Sequence, residues 1–229
     1  MSVEDDKKAK ETVLKVLQEP SIKKLKFTIN TTIRTKPVSI NTRAISPSLY
    51  DKVAEAIARG QITVTVAPEA LRAGVAAKYF PTMTIDKDNE FYDIIVLRAP
   101  ELGSTVNEKF HAAAAIVHEC THAGFDALSL PKMTHLEHEA ASYVAGAVFT
   151  AERMLAAKGN PQKVTGMHGI EQAAWDIALL EVDDKPVPKS LYDALDAAIR
   201  ANPEYKDIAD TVASNDGVGR EWKIKPARR

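Results

Sequence analysis

The spacing of hydrophobic and polar positions changes about halfway along the chain. Up to residue 104, short alternating stretches typical of half-buried strands are interspersed with short helical stretches. From residue 105 to about residue 214, apolar residues recur almost continuously at helical spacing. Strands and helices followed by helices alone predict an α+β fold in a single domain, with an α/β part over residues 1–104, a helical part over 105–214 and a flexible basic tail over 215–229.

The first part is predicted to contain three helices and five strands. Ser46 and Pro47 are typical of a helix start, and Gly60 of a helix end. The clearest strand is "QITVTVAP", in which apolar residues alternate with threonines. The predicted helices are residues 4–18, residues 46–60 and "PEALRAGVAAKY"; the predicted strands are residues 25–33, "PVSINTR", "QITVTVAP", "TMTID" and "FYDIIVLRAP", the last two joined by the turn "KDNE".

The second part is predicted to consist of five helices. Thr105 followed three residues later by Glu108 forms a capping box, which predicts that the first of them begins there. Asn202 and Pro203 have the cap-then-proline order that starts a helix and are predicted to begin the last one. The five predicted helices are residues 106–127, 135–157, 168–181, 189–201 and 203–213.

Composition and charge exclude several classes of partner. The 229 residues carry 30 Lys and Arg against 31 Asp and Glu, so neither nucleic acid nor an anionic membrane has overall electrostatic support as a partner. The charged N-terminus has no apolar signal core, and no stretch approaches the roughly 18 apolar residues of a membrane span. A cytoplasmic location is therefore expected, with export without a cleaved signal left open. The single cysteine, Cys120, excludes an internal disulfide and is expected to be a buried packing residue.

The stretch "HECTHAGFD" at residues 118–126 carries the candidate chemistry. His118 and His122 are four residues apart in a predicted helix, so both point to one side and lie about 6 Å apart along the axis. Two imidazoles at this spacing can reach one metal ion. Glu119 is rotated by about 100°, which suits a base acting on a metal-bound water better than a ligand.

A catalytic zinc site requires a third protein ligand. Asp126 is excluded because it lies about 12 Å from His118 along the helix axis. Thr134 and Glu137 form a second capping box, which gives Glu137 a structural role. Glu139, one turn into that helix, is therefore the favoured third ligand, and Glu137 or a histidine remains the alternative. The histidines near this helix start are His135 and His138.

Further residues are candidates for supporting roles. Tyr143 shares the helix face of Glu139 and is a candidate oxyanion donor, or else a tyrosine of the core. Asp126 could orient a ligand histidine through a contact with the side of the ring that does not bind the metal. Residues with a weaker claim to line the site are His111, His135, His168 and Tyr192. The basic residues of the tail are expected to be solvated: Arg220, Lys223, Lys225, Arg228 and Arg229.

"HECTHAGFD" followed by "EAASYVAG" resembles the gluzincin metallopeptidases, the thermolysin-like enzymes in particular, over about 30 residues. The resemblance implies a zincin-like fold and one catalytic Zn²⁺ held by His118, His122 and Glu139, with Glu119 as general base. It also implies a small mixed or antiparallel sheet packed on the active-site helix. The edge strand of that sheet would hold an extended substrate, and "FYDIIVLRAP" is the expected edge strand.

The chain departs from the gluzincin pattern in three respects, the first being that Glu139 follows His122 by seventeen residues, a somewhat shorter separation than in thermolysin. Tyr143 stands where that family has an aspartate that orients a ligand histidine, and no counterpart of the family's transition-state-stabilising histidine is apparent. The expected function is a zinc-dependent hydrolase, a metallopeptidase in which Glu119 activates a zinc-bound water and the substrate is a peptide or protein. The alternatives are a zincin-fold protein that binds metal or a partner without cleaving peptides, and a helical protein with no metal.

Overall fold

The computed structural model describes residues 2–34, 39–86, 89–130, 133–161, 167, 169–213, 215, 217–219 and 223–224. The chain forms two compact units. The first unit comprises Met1–Gln18, Leu49–Leu130 and Ser214–Arg229, and the second comprises Glu19–Ser48 and Pro131–Ala213.

Six α-helices and six β-strands occur in the described part of the chain, which confirms the α+β class. The helices are α1 (Val3–Leu17), α2 (Pro47–Ala58), α3 (Val106–Ala127), α4 (His135–Lys158), α5 (Ile170–Val182) and α6 (Lys189–Ala201). The strands are β1 (Phe27–Ile33), β2 (Ser39–Ile45), β3 (Thr63–Val66), β4 (Ala77–Asp86), β5 (Asn89–Leu97) and β6 (Lys223–Ile224). No described helix has the length and apolar character that crossing a bilayer requires.

The sheet of the first unit has the order β3-β5-β4, and β6 pairs with the start of β5. β3 runs parallel to β5, whereas β4 runs antiparallel to it. The prediction that "FYDIIVLRAP" is the edge strand is therefore wrong, because β5 has neighbours on both sides. Its residues from Tyr92 to Leu97 are all buried, as expected for a strand covered on both faces of the sheet.

β4 is an edge strand that begins earlier than predicted. The predicted helix "PEALRAGVAAKY" is wrong: only Pro68–Ala70 form a single 3₁₀ turn, and the strand begins at Ala77. Alanine, leucine and lysine favour a helix intrinsically, but pairing of Ala77–Phe80 with β5 overrides that weak preference. Gly74, at a φ of 84°, supplies the left-handed conformation that separates the turn from the strand.

Three local features determine where α3 begins and how it is rotated about its axis. The predicted capping box is present, with the Thr105 side chain accepting from the Glu108 N–H. Thr121 is joined to Tyr50 of α2 by a 3.0 Å hydrogen bond between their hydroxyls. Gly124 has no side chain, so Leu49 of α2 packs directly against the helix backbone there. Thr121 and Gly124 are buried by these contacts, whereas His118 and His122 are only partly buried.

The second unit combines the ribbon formed by β1 and β2 with α4, α5 and α6, and its largest fully buried side chain is that of Trp175. α6 protects the exposed edge of β1 with side chains that replace a neighbouring strand. Asp196 accepts from the Thr32 N–H at 2.7 Å, and Arg200 donates to the Thr32 carbonyl at 2.8 Å. Tyr192 donates to the carbonyl of Thr28 at 2.6 Å.

The predicted helix 203–213 is also wrong. Residues 203–210 form successive turns that begin where the Asn202 side chain accepts from the Glu204 N–H. The carbonyls of Ala209 and Thr211 accept from the first two N–H groups of α4, which have no partner within their own helix. A helix over 203–213 would use the Ala209 carbonyl internally for the N–H of Ala213, whereas the irregular conformation leaves it free to accept from Leu136 at the start of α4.

Candidate metal centre

His118 and His122 of α3 direct their Nε2 atoms to one point. The two Nε2 atoms are 3.1 Å apart, and the ring planes are inclined by 68°. Two nitrogens on one zinc ion with bonds of about 2.1 Å are about 3.4 Å apart at the tetrahedral angle. The observed pair is therefore close to the separation that a shared metal ion requires.

The surroundings of His118 favour the form of imidazole that binds metal. Burial lowers the pKa of His118 to about 4, because the charged ring loses its hydration. The ring is therefore neutral near pH 7, and a neutral ring has a nitrogen lone pair for coordination. No proton has to be displaced from this ligand before an ion enters.

Glu139 of α4 belongs to the same group of ligand atoms. One ligand atom from each of His118, His122 and Glu139 lies within 4.8 Å of the other two. The Oε2 atom of Glu139 is inaccessible to solvent. A buried carboxylate beside two imidazoles is a donor set of two nitrogens and one oxygen, which suits zinc.

Glu119 has its two oxygens in different surroundings. Its Oε2 accepts a hydrogen bond of 2.7 Å from the main-chain N–H of Tyr79, on the edge of β4. Its Oε1 lies 3.9 Å from the Nε2 of His118, close to the point where the two imidazoles converge. One oxygen is thus held by the sheet while the other faces the candidate metal position.

Glu137 occupies the structural position that its capping box predicts. It is fully buried, accepts from the N–H and hydroxyl of Thr134, and forms an ion pair with Arg43 Nε at 2.9 Å. His138 is buried, whereas His135 is half-buried and its pKa is lowered by partial burial. Neither histidine belongs to the group of convergent ligand atoms. Glu139 is therefore the residue that α4 contributes to that group.

The remaining candidates lie in other surroundings. Asp126 is buried and accepts from the Tyr79 hydroxyl at 2.7 Å and from the Gly217 N–H at 2.9 Å. His111 is exposed, and Cys120 is buried with its pKa raised by burial. Tyr192 contacts β1, as described above. His168 and the basic residues of the tail, apart from the backbone of Lys223, lie outside the described residues.

Two tyrosines lie near Glu139. Tyr143 is half-buried on α4, and Tyr205, in the turns after α6, forms a hydrogen bond with it. Burial raises the pKa of Tyr205, and the negative charge of Glu139 raises it further. The Tyr205 phenol therefore keeps its proton near neutral pH and can act as a donor.

Sequence reasoning missed Tyr79, Asp93 and Tyr205. Asp93 carries the clearest overlooked signal, because it is a single carboxylate within the apolar stretch "FYDIIVL". No pattern indicates Tyr79, since its contact with Glu119 is made by the main chain. Tyr205 lies in a segment wrongly predicted to be helical, so its orientation could not be derived.

The sequence matches no protein-family model, no curated protein and no solved structure. A functional assignment therefore depends on the chemistry of the site. Two imidazole nitrogens and a carboxylate oxygen converge, and the carboxylate of Glu119 lies beside them.

Proposed function

We propose that the chain is a zinc-dependent metallopeptidase of the zincin type, similar to the gluzincins. The observation that carries the proposal is the convergence of His118, His122 and Glu139 within 4.8 Å. The second carboxylate, on Glu119, lies beside this group with one oxygen directed to it. Three ligands leave a coordination position open, as catalytic rather than structural zinc sites do.

Zinc, when bound, would polarise the scissile carbonyl and lower the pKa of water to about 7. Glu119 is proposed to take the proton from the attacking water through Oε1 and to deliver it to the leaving amine. The hydrogen bond from Tyr79 N–H holds Oε2, so that Oε1 remains oriented toward the reacting atoms. Tyr143 is proposed to donate a hydrogen bond from its phenol to the carbonyl oxygen as negative charge develops there.

The edge of β4 is the proposed binding surface for an extended peptide. Pairing alternates along an antiparallel strand, and the Tyr79 N–H points away from β5 toward Glu119. The Tyr79 N–H is already used by Glu119, so an extended substrate backbone is proposed to pair with the other outward main-chain groups of β4, beside Glu119.

The test compares zinc content and peptide cleavage in the wild type and in Glu119→Gln. The protein is purified without added zinc, its metal content is measured, and cleavage is followed on a broad peptide library. We expect one zinc per chain in both proteins and a loss of cleavage of about 100-fold or more in the variant. Glu108→Gln provides the matched control on the same helix, since glutamine preserves the capping box.

Each outcome separates two hypotheses. Protein without zinc that takes up none on titration would exclude both metal hypotheses. Zinc retained by a wild type that cleaves no peptide would favour the binding protein without peptidase activity. Equal cleavage by wild type and Glu119→Gln would refute the role of Glu119 as base.

A further inference from the structure

Tyr79 contacts the α3 helix at two points. Its main-chain N–H donates to Glu119 Oε2 at 2.7 Å, and its hydroxyl donates to Asp126 Oδ2 at 2.7 Å. The same hydroxyl lies 3.2 Å from Asp93 Oδ1 on β5. A single residue of β4 thus connects the proposed base to two carboxylates that the proposed reaction does not use.

These two carboxylates are deeply buried, with Asp93 at 0% and Asp126 at 1% exposure. Buried carboxylates are costly unless donors surround them. In each carboxylate, one oxygen faces the Tyr79 hydroxyl. The other oxygen accepts a 2.9 Å hydrogen bond from a main-chain N–H near the C-terminus, which Gly219 donates to Asp93 and Gly217 donates to Asp126. We call the set of Tyr79, Asp93, Asp126, Gly217 and Gly219 the phenol clamp.

The backbone of the phenol clamp has three left-handed conformations. Gly217 and Gly219 have φ values of 92° and 86°, which glycine adopts without a steric penalty. Asp93 has a φ of 56° in the middle of β5, a conformation that costs a residue other than glycine about 1–3 kcal/mol. Such a conformation persists only when surrounding contacts impose it, and here its carboxylate is directed to Tyr79 and Gly219.

We propose that Tyr79 is a positioning residue for Glu119 and that the phenol clamp fixes its position. With the phenol anchored between Asp93 and Asp126, the β4 edge cannot move away from α3 at this point. The Tyr79 N–H then keeps Oε2 of Glu119 engaged, and Oε1 keeps its orientation toward the histidines. The inference rests on the proposed function for the role of Glu119, whereas the coupling between phenol and amide is independent of it.

Tyr79→Phe tests the coupling, because it removes the hydroxyl but leaves the ring and the main-chain N–H. Tyr192→Phe is the matched control, since it also removes a phenolic hydrogen bond, made to the Thr28 carbonyl at 2.6 Å. Gly217→Ala provides a second perturbation of the phenol clamp without changing Tyr79, because alanine disfavours a φ of 92°. Hydrogen exchange of the Tyr79 amide is measured by NMR in full-length chains, relative to the slowest amides of β5.

We expect the Tyr79 amide to exchange at least about 10-fold faster in Tyr79→Phe and in Gly217→Ala, and at the wild-type rate in Tyr192→Phe. Referring the rates to β5 separates local release from a general loss of stability. Unchanged relative exchange in Tyr79→Phe would overturn the inference, whether or not the protein binds zinc.

Kinetics on a substrate identified with the wild type provide the second readout. Tyr79→Phe should retain zinc and KM but lose about 10-fold or more in kcat, because the base is less well oriented during the reaction. A change in KM alone would contradict the positioning role. A wild type without zinc or cleavage would refute the proposed function, and the exchange experiment would still decide the coupling.

Discussion

Glu137 and Glu139 lie two residues apart on α4, and replacing each by glutamine should separate fold stability from metal binding. Glutamine at 137 preserves the capping box but loses the charge-assisted hydrogen bond to Arg43 at 2.9 Å. Such a bond contributes about 1.5–3 kcal/mol. The free energy of unfolding should therefore fall by about 2 kcal/mol, which lowers Tm by about 4–8 °C in a chain of this size.

Glutamine at 139 should have the opposite effect. It replaces a proposed anionic ligand by a neutral amide, so zinc affinity should fall by about 100-fold or more, while the metal-free Tm stays close to the wild-type value. At a free zinc concentration 100 times the wild-type Kd, zinc stabilises the wild type by about 2.7 kcal/mol. A 100-fold weaker site would be stabilised by only about 0.4 kcal/mol at the same concentration.

Two measurements on each protein decide the matter. Calorimetry in the presence of a chelator gives the metal-free Tm, and titration against a competing zinc indicator gives the affinity. If Glu137→Gln weakened zinc binding as much as Glu139→Gln, the assignment of ligand and structural residue would be refuted.

Two further predictions concern stability. Gly124→Ala should lower the free energy of unfolding by about 1–2 kcal/mol in urea titrations. The new Cβ would overlap the Leu49 side chain, and the cost of this overlap should exceed the gain from the higher helix propensity of alanine. A double-mutant cycle with Leu49→Ala that showed no coupling would contradict this contact. Burial raises the pKa of Asp196 to about 6, although the Thr32 N–H and the Arg200 charge oppose the change. The folded state therefore holds this proton more tightly than the unfolded state, so stability should fall by about 2 kcal/mol as pH rises from 4 to 6. The difference in stability between the wild type and Asp196→Asn, measured across that range, should show this slope, and a difference independent of pH would refute it.

Local signals predicted the positions of the two site helices well. Both capping boxes begin their helices where expected, and a helix start determines which later residues share a face. Glu139 could therefore be preferred over Glu137 from the sequence alone, and its position beside the two histidines of α3 agrees with that preference. The metal itself, its chemistry and the family resemblance remain proposals.

The errors arose where tertiary pairing opposes local preference. The alanine-rich residues 73–79 favour a helix by composition. Residues 77–79 nevertheless pair with β5 and form the start of an edge strand. The central position of β5 had a readable signal, an apolar stretch without alternation, which indicates burial on both faces. The turns after Asn202 had no such signal in the sequence. Their carbonyls accept hydrogen bonds from the first N–H groups of α4, and this contact is visible only in the folded structure.

The phenol clamp also has a consequence for the order of folding. Its two glycine contacts join positions that are far apart in the sequence. The contact between Gly217 and Asp126 spans 91 positions, and the contact between Gly219 and Asp93 spans 126. Contacts at such separations require the closure of long loops and form slowly compared with those inside a helix or hairpin. The imidazole pair of α3 needs only one helical segment, so the two histidines can converge early. The hydrogen bond between Glu119 and the Tyr79 N–H of β4 would then be among the last contacts of the first unit to form during folding.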